Sequence, residues 1–317
     1  MKDCLVYFFN GFLDSGKTSL ICTWAGSDDF RKTKLVILAT EEGEIEYDDD
    51  AYPGAEPIVI IKEPDEITSE LMFAIEKEHK PDFLFIEWNG SVSPSKFFDE
   101  TDVPRRWMLA ASIVVVDAST YGEFFRNMQP LFADYYKYGD NILFNRVDPE
   151  VNSLPKLRAS VKAINPGVNI AFFGEDNEPV LIEDHLPYNL EDNPCLIKDE
   201  DFGIFYTDMM DNVNRYNGKR VSLVGRAVVF REMRGKGFAL SRPAYTCCSN
   251  DIGQIQLLCL YNYKSNFPAN EWVKVTGRIR YFEQPDPQTG KKVPMGCLEV
   301  ENYVLTSKPE VEMVYFS

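Results

Sequence analysis

Residues 4–24 read Cys-Leu-Val-Tyr-Phe-Phe-Asn-Gly-Phe-Leu-Asp-Ser-Gly-Lys-Thr-Ser-Leu-Ile-Cys-Thr-Trp, and this stretch decides the fold of the first half of the chain. The apolar run at 4–9 is typical of a buried strand, and the apolar residues of 17–24 recur at helical spacing. Between them stands the pattern G-x-x-x-x-G-K-[ST], from Gly11 to Thr18. Backbone N–H groups of such a strand-to-helix turn converge on an anion, Lys17 reaches the β- and γ-phosphates, and the Thr18 hydroxyl ligates Mg²⁺. The stretch therefore predicts a nucleoside triphosphate site, and the alternative is a chance match in a glycine-containing turn.

The composition is that of an ordinary globular protein. Of 317 residues, 44% are hydrophobic and 26% are charged, and no apolar run is long enough to span a bilayer. The first residues lack the apolar stretch and small-residue cleavage site of a secretory signal. Seven cysteines, an odd number, indicate reduced thiols rather than a disulfide framework. We expect a cytoplasmic protein of two domains without a membrane span.

The charge of the chain is unevenly distributed. The net charge is −17, yet residues 216–308 carry 14 Lys and Arg against 7 Asp and Glu, while the remainder carries 19 against 43. Such asymmetry indicates two units with different partners, or two units that face each other.

The second half of the phosphate site is predicted at the end of a later strand, 82–88. Four apolar residues run directly into Glu87, which suits the carboxyl end of a central parallel strand, where open α/β sheets place ligands. Glu87 can hold Mg²⁺ or its water, and the N–H of Gly90 can contact the γ-phosphate. The alternative is a strand followed by a polar turn.

An acidic run follows the strand predicted at 34–40. Residues 41–50 contain seven acids in ten positions. Taken alone, the run is typical of a solvated loop, because like charges repel and resist packing. Its position one strand after the phosphate loop favours a Mg²⁺-sensing switch segment.

A base-reading element is predicted after the strand at 141–144. Asn145-Arg146-Val147-Asp148 resembles the guanine-reading N-K-x-D element of GTPases, with Arg in place of Lys. A carboxylate at Asp148 can accept hydrogen bonds from the guanine N1–H and 2-amino groups, and adenine lacks both donors in that arrangement. An N-x-x-D string also fits a turn or a helix cap.

Six short motifs, in order along residues 1–173, resemble the CobW-like GTPases, many of which are metallochaperones or metal-homeostasis factors. The motifs are Gly11-Phe12-Leu13 with Gly16-Lys17-Thr18, Glu41-Glu42-Gly43-Glu44-Ile45 with Asp48, Glu87-Trp88-Asn89-Gly90 with Pro94, Val116-Asp117-Ala118, Asn145-Arg146-Val147-Asp148, and Asn165-Pro166. The resemblance implies that GTP is bound with Mg²⁺, that the switch acids lie near the metal, and that the asparagine and aspartate of the fifth motif recognise the base. The nucleotide-binding residues predicted in this way are Gly11, Asp14, Ser15, Gly16, Lys17, Thr18, Ser19, Gly90, Asn145, Arg146 and Asp148. The predicted Mg²⁺ ligands are Thr18, Glu44, Asp48 and Glu87, and the predicted catalytic residues are Lys17 and Glu87.

The chain departs from the family pattern in three places. Asp14 stands where the family usually has Gly, which brings a negative charge close to the phosphates. Arg146 replaces Lys, and its aliphatic stem can still cover the base. The family's Cys-x-Cys-Cys metal-binding stretch is absent, since no cysteine occurs between Thr23 and Asn193.

The remainder of the chain predicts a second, smaller domain. Residues 174–201 are irregular and acidic, which favours an extended linker or a surface wrap, and 201–217 predicts one helix closed by Gly218. Five strands at 220–231, 237–245, 254–261, 272–282 and 295–305 predict a small OB-like barrel. The run Phe238–Asp251 resembles the C-terminal domain of YcgQ-like proteins over about residues 202–306, which implies a permease component as a candidate partner.

Cys247 and Cys248 are the candidate ligands of a transition metal, Zn²⁺ or another. Neighbours on a strand point to opposite faces, so the pair chelates one ion only where the backbone turns, with Cys259, Cys297 or Asp251 completing the shell. The alternative is buried structural cysteine, which is the commoner use of the residue. Aromatic and arginine residues of 216–282 are also compatible with single-stranded nucleic acid, but at a net charge of −17 we expect no stable nucleic-acid partner.

Together these patterns predict an α/β fold of the P-loop NTPase type, a mostly parallel sheet with helices on both faces, followed by a small C-terminal OB-like β-barrel. The expected divisions are a GTPase domain over 1–173, an acidic linker over 174–201 and the barrel over 202–308. The expected function is hydrolysis of GTP to GDP with Mg²⁺, coupled to metal handling for a client metalloprotein. The alternative is a nucleotide-gated adaptor with negligible turnover.

Overall fold

The computed structural model describes residues 3–41, 47, 52, 54–181, 186–245, 252–263, 267–285 and 292–314. The chain forms two compact units. The first comprises residues 1–152 with 164–181, and the second comprises 153–163 with 182–317.

The first unit is built on a seven-stranded sheet in which every strand pair is parallel. Its strands are β1 (Cys4–Asn10), β2 (Leu35–Ala39), β3 (Ile58–Ile61), β4 (Phe83–Glu87), β5 (Trp107–Asp117), β6 (Asn141–Asn145) and β7 (Asn169–Phe172). Its helices are α1 (Lys17–Ala25), α2 (Ser69–His79), α3 (Ser95–Glu100), α4 (Tyr121–Asn127) and α5 (Gln129–Tyr138). The predicted α/β fold with a mostly parallel sheet is confirmed.

The strand order β3-β2-β4-β1-β5-β6-β7 places β1 at the centre of this sheet. Two apolar clusters pack the sheet, one containing Phe8, Leu84 and Trp88 and the other containing Phe9, Ile37 and Phe85. Because side chains alternate along a strand, Phe8 and Phe9 face opposite sides, and both are fully buried. The carboxyl ends of β1, β4 and β6, which carry the predicted site residues, therefore lie at one edge of the sheet.

One predicted helix of this unit is shorter than expected. The sequence at 64–80 predicts one continuous helix, but a 3₁₀ turn at Pro64–Glu66 precedes a helix that begins at Ser69. The side chain of Thr68 accepts a hydrogen bond from the Leu71 N–H, so Thr68 caps the helix and sets its start.

The second unit consists mostly of strands, which form a separate six-stranded sheet. They are β8 (Cys195–Leu196), β9 (Arg220–Val228), β10 (Gly237–Tyr245), β11 (Ile252–Leu260), β12 (Trp272–Pro285) and β13 (Lys292–Leu305). The order is β10-β11-β13-β12-β9-β8, with an additional pairing of β10 with β9. Only β11–β13 and β8–β9 are parallel among these pairs. The helices of the unit are α6 (Leu154–Ile164), α7 (Phe202–Asp211) and α8 (Val213–Tyr216).

The single helix predicted over 201–217 is wrong. The α-helix ends at Asp211 and a new one starts at Val213, because Asn212 has φ −115° and ψ 66°, outside the helical region. The break lies beside Asp208, in the last turn of the first helix. The Asp208 carboxylate is buried and accepts hydrogen bonds from Arg158, Arg215 and Tyr216 at 2.6–2.9 Å. This buried charge cluster ties α6 to α7 and α8.

Part of the predicted acidic linker, residues 174–201, pairs with a strand of the second unit. Cys195–Leu196 pairs with β9, and the Ile197 N–H donates to the Ser222 carbonyl at 2.9 Å. Two ion pairs add to this contact, Lys219 with Glu191 at 2.6 Å and the fully buried Arg242 with Asp199 at 2.9 Å. In the described part of the chain no helix is both long enough and apolar enough to cross a membrane.

Candidate nucleotide-binding site

The loop between β1 and α1 has a backbone that requires its glycines. Gly11 has φ +137° and Gly16 has φ +105°, in the region that side chains rarely adopt. A Cβ on Gly11 would lie 2.0 Å from the Val115 carbonyl oxygen, and one on Gly16 would lie 2.8 Å from Nδ2 of Asn145. Asp14 has φ +61°, a conformation that Asp tolerates better than most residues, and its side chain is exposed.

Lys17 is held inside this loop with its ammonium group fully engaged. The residue is only 2% exposed. Its Nζ donates to the carbonyl oxygens of Gly11 and Phe12, both at 2.7 Å, and forms an ion pair with Glu41 at 2.5 Å. An ammonium group has three donors. Two oxygens therefore accept hydrogen bonds from the ammonium group, while Glu41 balances its charge, because Glu41 Oε1 is buried without a hydrogen-bond partner among the described residues.

The Ser15 hydroxyl provides a further mark of an anion site. Its Oγ is buried and has no hydrogen-bond partner among the described residues. A buried polar atom of this kind costs free energy unless a ligand or water completes it. An anion at the turn would complete it, so the loop fits a phosphate group. Ser19, also predicted to bind nucleotide, is exposed on α1.

Thr18 and Glu87, predicted 69 positions apart to share Mg²⁺, are in direct contact. Thr18 Oγ1 donates to Glu87 Oε1 at 2.7 Å, and the Tyr47 hydroxyl donates to Oε2 at 2.5 Å. Burial raises the pKa of Glu87 above its usual range, while both hydrogen bonds and Lys17 oppose that shift. Burial, followed by the charge of Glu87, raises the pKa of Tyr47. Carboxylate and hydroxyl oxygens are the ligands that Mg²⁺ prefers, so the pair fits that ion.

Two residues of this site were missed by sequence reasoning. Glu41 and Tyr47 lie within or beside the acidic run, where nothing distinguishes one acid from the next. The signal that could have identified Glu41 is its place as the second residue after β2, the strand beside β4. Tyr47 could have been identified as the one aromatic residue in the acidic run.

Residues 145–148, predicted to read the base, contact the loop between β1 and α1. Asn145 Nδ2 donates to the Ser15 carbonyl at 3.3 Å, and Arg146 Nη1 donates to the Asp14 carbonyl at 2.9 Å and to Asp117 at 2.6 Å. The carboxylate of Asp148 is exposed, and its Oδ1 accepts from the Glu150 N–H at 2.9 Å. The exposed Asp148 carboxylate retains acceptor capacity toward solvent.

Several predicted site residues cannot be compared with the structure. Glu44, Asp48, Cys247 and Cys248 lie outside the described residues. Within the described ranges, no three His, Cys, Asp or Glu side chains lie close enough to hold a metal ion. Cys259 and Cys297 lie on the paired strands β11 and β13 and are buried as free thiols. Burial raises the pKa of both.

Two sequence profiles divide the chain. The CobW/HypB/UreG nucleotide-binding domain matches residues 5–172, and the DUF1980 C-terminal domain matches residues 174–316. Both resemblances seen in the sequence, CobW-like and YcgQ-like, are thereby confirmed. Curated proteins give no match to this chain.

Solved structures give weaker similarities. Hydrogenase maturation factor HypB from Archaeoglobus fulgidus is 18% identical, with a TM-score of 0.40, and the match covers 56% of this chain and 84% of that one. HypB from Helicobacter pylori, in complex with nickel, is 16% identical, with a TM-score of 0.40 and coverage of 55% and 80%. A small single-stranded DNA-binding protein from Streptomyces coelicolor is 13% identical, with a TM-score of 0.20 and coverage of 28% and 95%.

The profile match over residues 5–172 spans more than half of the chain and includes the phosphate loop, the acid at the end of β4 and the N-x-x-D element described above. The chain belongs to the CobW/HypB/UreG family of nucleotide-binding domains.

Proposed function

We propose that the chain binds GTP with Mg²⁺ and hydrolyses it to GDP and phosphate. The observation that carries the proposal is the convergence of Lys17, Thr18 and Glu87 at one loop, within a network of contacts of 2.5–2.7 Å. These are the cation, hydroxyl and carboxylate that phosphoryl transfer requires. Family membership supports the same chemistry.

One group of these residues would contact the phosphates and Mg²⁺, and another would contact the base. Lys17 and the backbone N–H groups of 11–16 would hold the phosphates and neutralise charge on the γ-phosphate as water attacks. Thr18 and Glu87 would hold Mg²⁺, which supplies further charge neutralisation when bound, and Glu44 and Asp48 would add ligands from the switch. Asp148 would select guanine, while Asn145 and Arg146 hold the base-reading element against the loop.

We place the hydrolysis in metal handling, in the cytoplasm, with a client metalloprotein or a permease component as partner. The family profile supports this part, although the chain lacks the cysteine stretch of CobW-like proteins. A transition metal, Zn²⁺ or another, would then depend on Cys247 and Cys248. We further propose that the second unit is an OB-like barrel, since β9 pairs with both β10 and β12.

Single-turnover hydrolysis of γ-labelled GTP, with Mg²⁺ and with EDTA, tests the proposal. The wild-type chain should release phosphate only with Mg²⁺, and Lys17→Ala should abolish tight nucleotide binding. Lys32→Ala is the matched control, because Lys32 is an exposed lysine after α1. If Lys17→Ala binds GTP as tightly as the control does, the site assignment is wrong.

A nucleotide-gated adaptor with negligible turnover is the second candidate, and Asp14 favours it. Its carboxylate replaces a glycine in the phosphate loop and adds negative charge where phosphates would be bound. The same assay separates the two functions. Stoichiometric GTP binding without phosphate release would indicate the adaptor, and Asp14→Gly should then tighten binding.

A further inference from the structure

Glu41 connects the two groups that a terminal phosphate would need. Its Oε1 lies 2.5 Å from Lys17 Nζ, and its Oε2 accepts a hydrogen bond from the Gly90 N–H at 3.3 Å. The side chain is 9% exposed and Lys17 only 2%. One carboxylate therefore bridges an ammonium and a backbone N–H inside the phosphate site.

The two groups bridged by Glu41 are fixed in place by the rest of the unit. The Gly90 carbonyl accepts a hydrogen bond from the buried Tyr135 hydroxyl, and the Trp88 N–H donates to the Phe9 carbonyl at 2.8 Å. A Cβ on Gly90 would lie 2.1 Å from the Gly11 carbonyl oxygen, so the turn after β4 lies directly on the phosphate loop. The Gly90 N–H and the Lys17 ammonium thus form a preorganised pair of donors for an oxyanion.

Tyr47 makes a similar contact at the neighbouring acid. Its hydroxyl and that of Thr18 donate to the two oxygens of Glu87. Lys17 therefore donates to two carbonyl oxygens and pairs its charge with Glu41, while Glu87 accepts from two hydroxyls, and all of these partners belong to the chain itself. A nucleotide phosphate has to replace at least the Glu41 contact in order to reach Lys17.

We propose that Glu41 is an internal competitor of the γ-phosphate, and that GTP loads by displacing its carboxylate from Lys17 and Gly90. A carboxylate and a phosphate present similar oxyanions to the same donors, so the two are mutually exclusive at this position. The inference rests on the proposed function, because it assigns Glu41 a role in the same site. Glu41 should therefore compete more strongly with GTP than with GDP, because GDP lacks the terminal phosphate.

The surroundings give the displaced side chain space to move. A cavity of about 540 Å³ adjoins the loop and is lined by Phe12, Leu13, Thr40, Glu41 and Asn89 among others. Glu41 forms part of its wall. Rotation of the carboxylate away from Lys17 into this cavity would open the phosphate site without unfolding β2.

Calorimetric titration of the full chain with Mg²⁺ and GMPPNP, a non-hydrolysable GTP analogue, tests the inference in Glu41→Gln. Removing the competing charge should tighten binding by about tenfold to a hundredfold, the range expected for one hydrogen bond to a charged group. Binding of GDP should tighten less. The ligand-free variant should also unfold at a lower temperature than the wild type, because buried Lys17 loses its counter-charge.

Glu63→Gln is the matched control, since Glu63 lines the same cavity, is exposed and makes no contact with Lys17. It should leave both affinities unchanged. Glu41→Asp is a second variant, in case Glu41→Gln does not fold. Its shorter side chain keeps the charge but cannot bridge both donors, so it should give an intermediate gain.

The outcomes separate this inference from the proposed function. Unchanged or weaker GMPPNP binding in Glu41→Gln, with binding still dependent on Lys17, would refute the competitor role and leave the proposed function intact. If Glu41→Gln binds GMPPNP and the wild type does not, Glu41 excludes the γ-phosphate completely, which would support the competitor role. Absence of guanine-nucleotide binding in the wild type and in both Glu41 variants would refute the proposed function together with the inference.

Discussion

Gly90→Ala is the substitution that tests the site geometry most directly. Gly90 follows β4 and does not have the positive φ of Gly11 and Gly16, so alanine is not excluded by backbone conformation. The added Cβ would lie 2.1 Å from the Gly11 carbonyl oxygen, 2.5 Å from its carbonyl carbon and 2.6 Å from Phe12 Cα. All three atoms are backbone, so no side-chain rotation can relieve the overlap.

The loss of stability in Gly90→Ala can be estimated, because the backbone at Gly90 or at Gly11 has to shift to relieve the overlap. Extra volume in a well-packed region typically costs ~1–3 kcal/mol, and a backbone clash places this case at about 3 kcal/mol or more. For a unit of ~150–250 residues, that corresponds to a fall of about 6–12 °C in the unfolding temperature. The displaced phosphate loop should also bind nucleotide at least about tenfold more weakly, since 1.4 kcal/mol of distortion suffices for that factor.

Thermal unfolding by circular dichroism and nucleotide titration measure the two effects. Gly122→Ala is the control, because nothing lies within 4 Å of a Cβ at Gly122 and alanine favours the helix there. An unfolding temperature within about 2 °C of the control, with unchanged nucleotide affinity, would show that Gly90 does not lie on the phosphate loop as described.

Three further predictions concern the base, the metal and the second unit. We expect the wild-type chain to prefer GTP over ATP by roughly a hundredfold in calorimetry, and Asp148→Ala should remove nearly all of this preference. Equal affinities of the wild type for the two nucleotides would contradict the guanine assignment. The double variant Cys247→Ser, Cys248→Ser should lose any tightly bound transition metal in elemental analysis while keeping GTP binding, and full metal content in the variant would exclude that pair as ligands. Asp208→Ala should lower the free energy of unfolding in urea by about 3 kcal/mol, because it removes the buried carboxylate that Arg158, Arg215 and the Tyr216 hydroxyl share, and a change below about 1 kcal/mol would contradict that role.

The sequence was sufficient for the features that are local in the chain. The strand, glycine turn and helix around Lys17 follow from apolar periodicity and from φ angles that only glycine adopts easily. Glu87 could be placed because an acid at the end of a buried strand has few other uses. The parallel sheet then brings Thr18 and Glu87 together, which is the contact that the structure shows.

The features that depend on tertiary contacts could not be predicted. The acidic run gives no reason for Glu41, rather than its neighbours, to be buried against Lys17, since that choice depends on the spacing of β2 and β4. The strand Cys195–Leu196 is too short to carry an alternating pattern and forms only because β9 offers a free edge. The helix break at Asn212 likewise depends on buried Asp208, whose carboxylate accepts hydrogen bonds from Asn212 itself and from Arg215 beyond it.

Two departures from the family pattern, which the sequence presents as separate, meet in one contact. Asp14 and Arg146 both have positive φ, at +61° and +52°, and the Arg146 guanidinium donates to the Asp14 carbonyl at 2.9 Å. Asp117 holds the same nitrogen at 2.6 Å and is itself fixed by the Ser119 N–H and hydroxyl. The Arg146 contact depends on the backbone of residue 14 and not on its side chain, which is exposed. Replacing Asp14 with Gly would therefore remove a charge from the loop without removing the Arg146 contact, so we expect Asp14→Gly to strengthen phosphate binding while Arg146 and Asp117 still connect residues 145–148 to the loop.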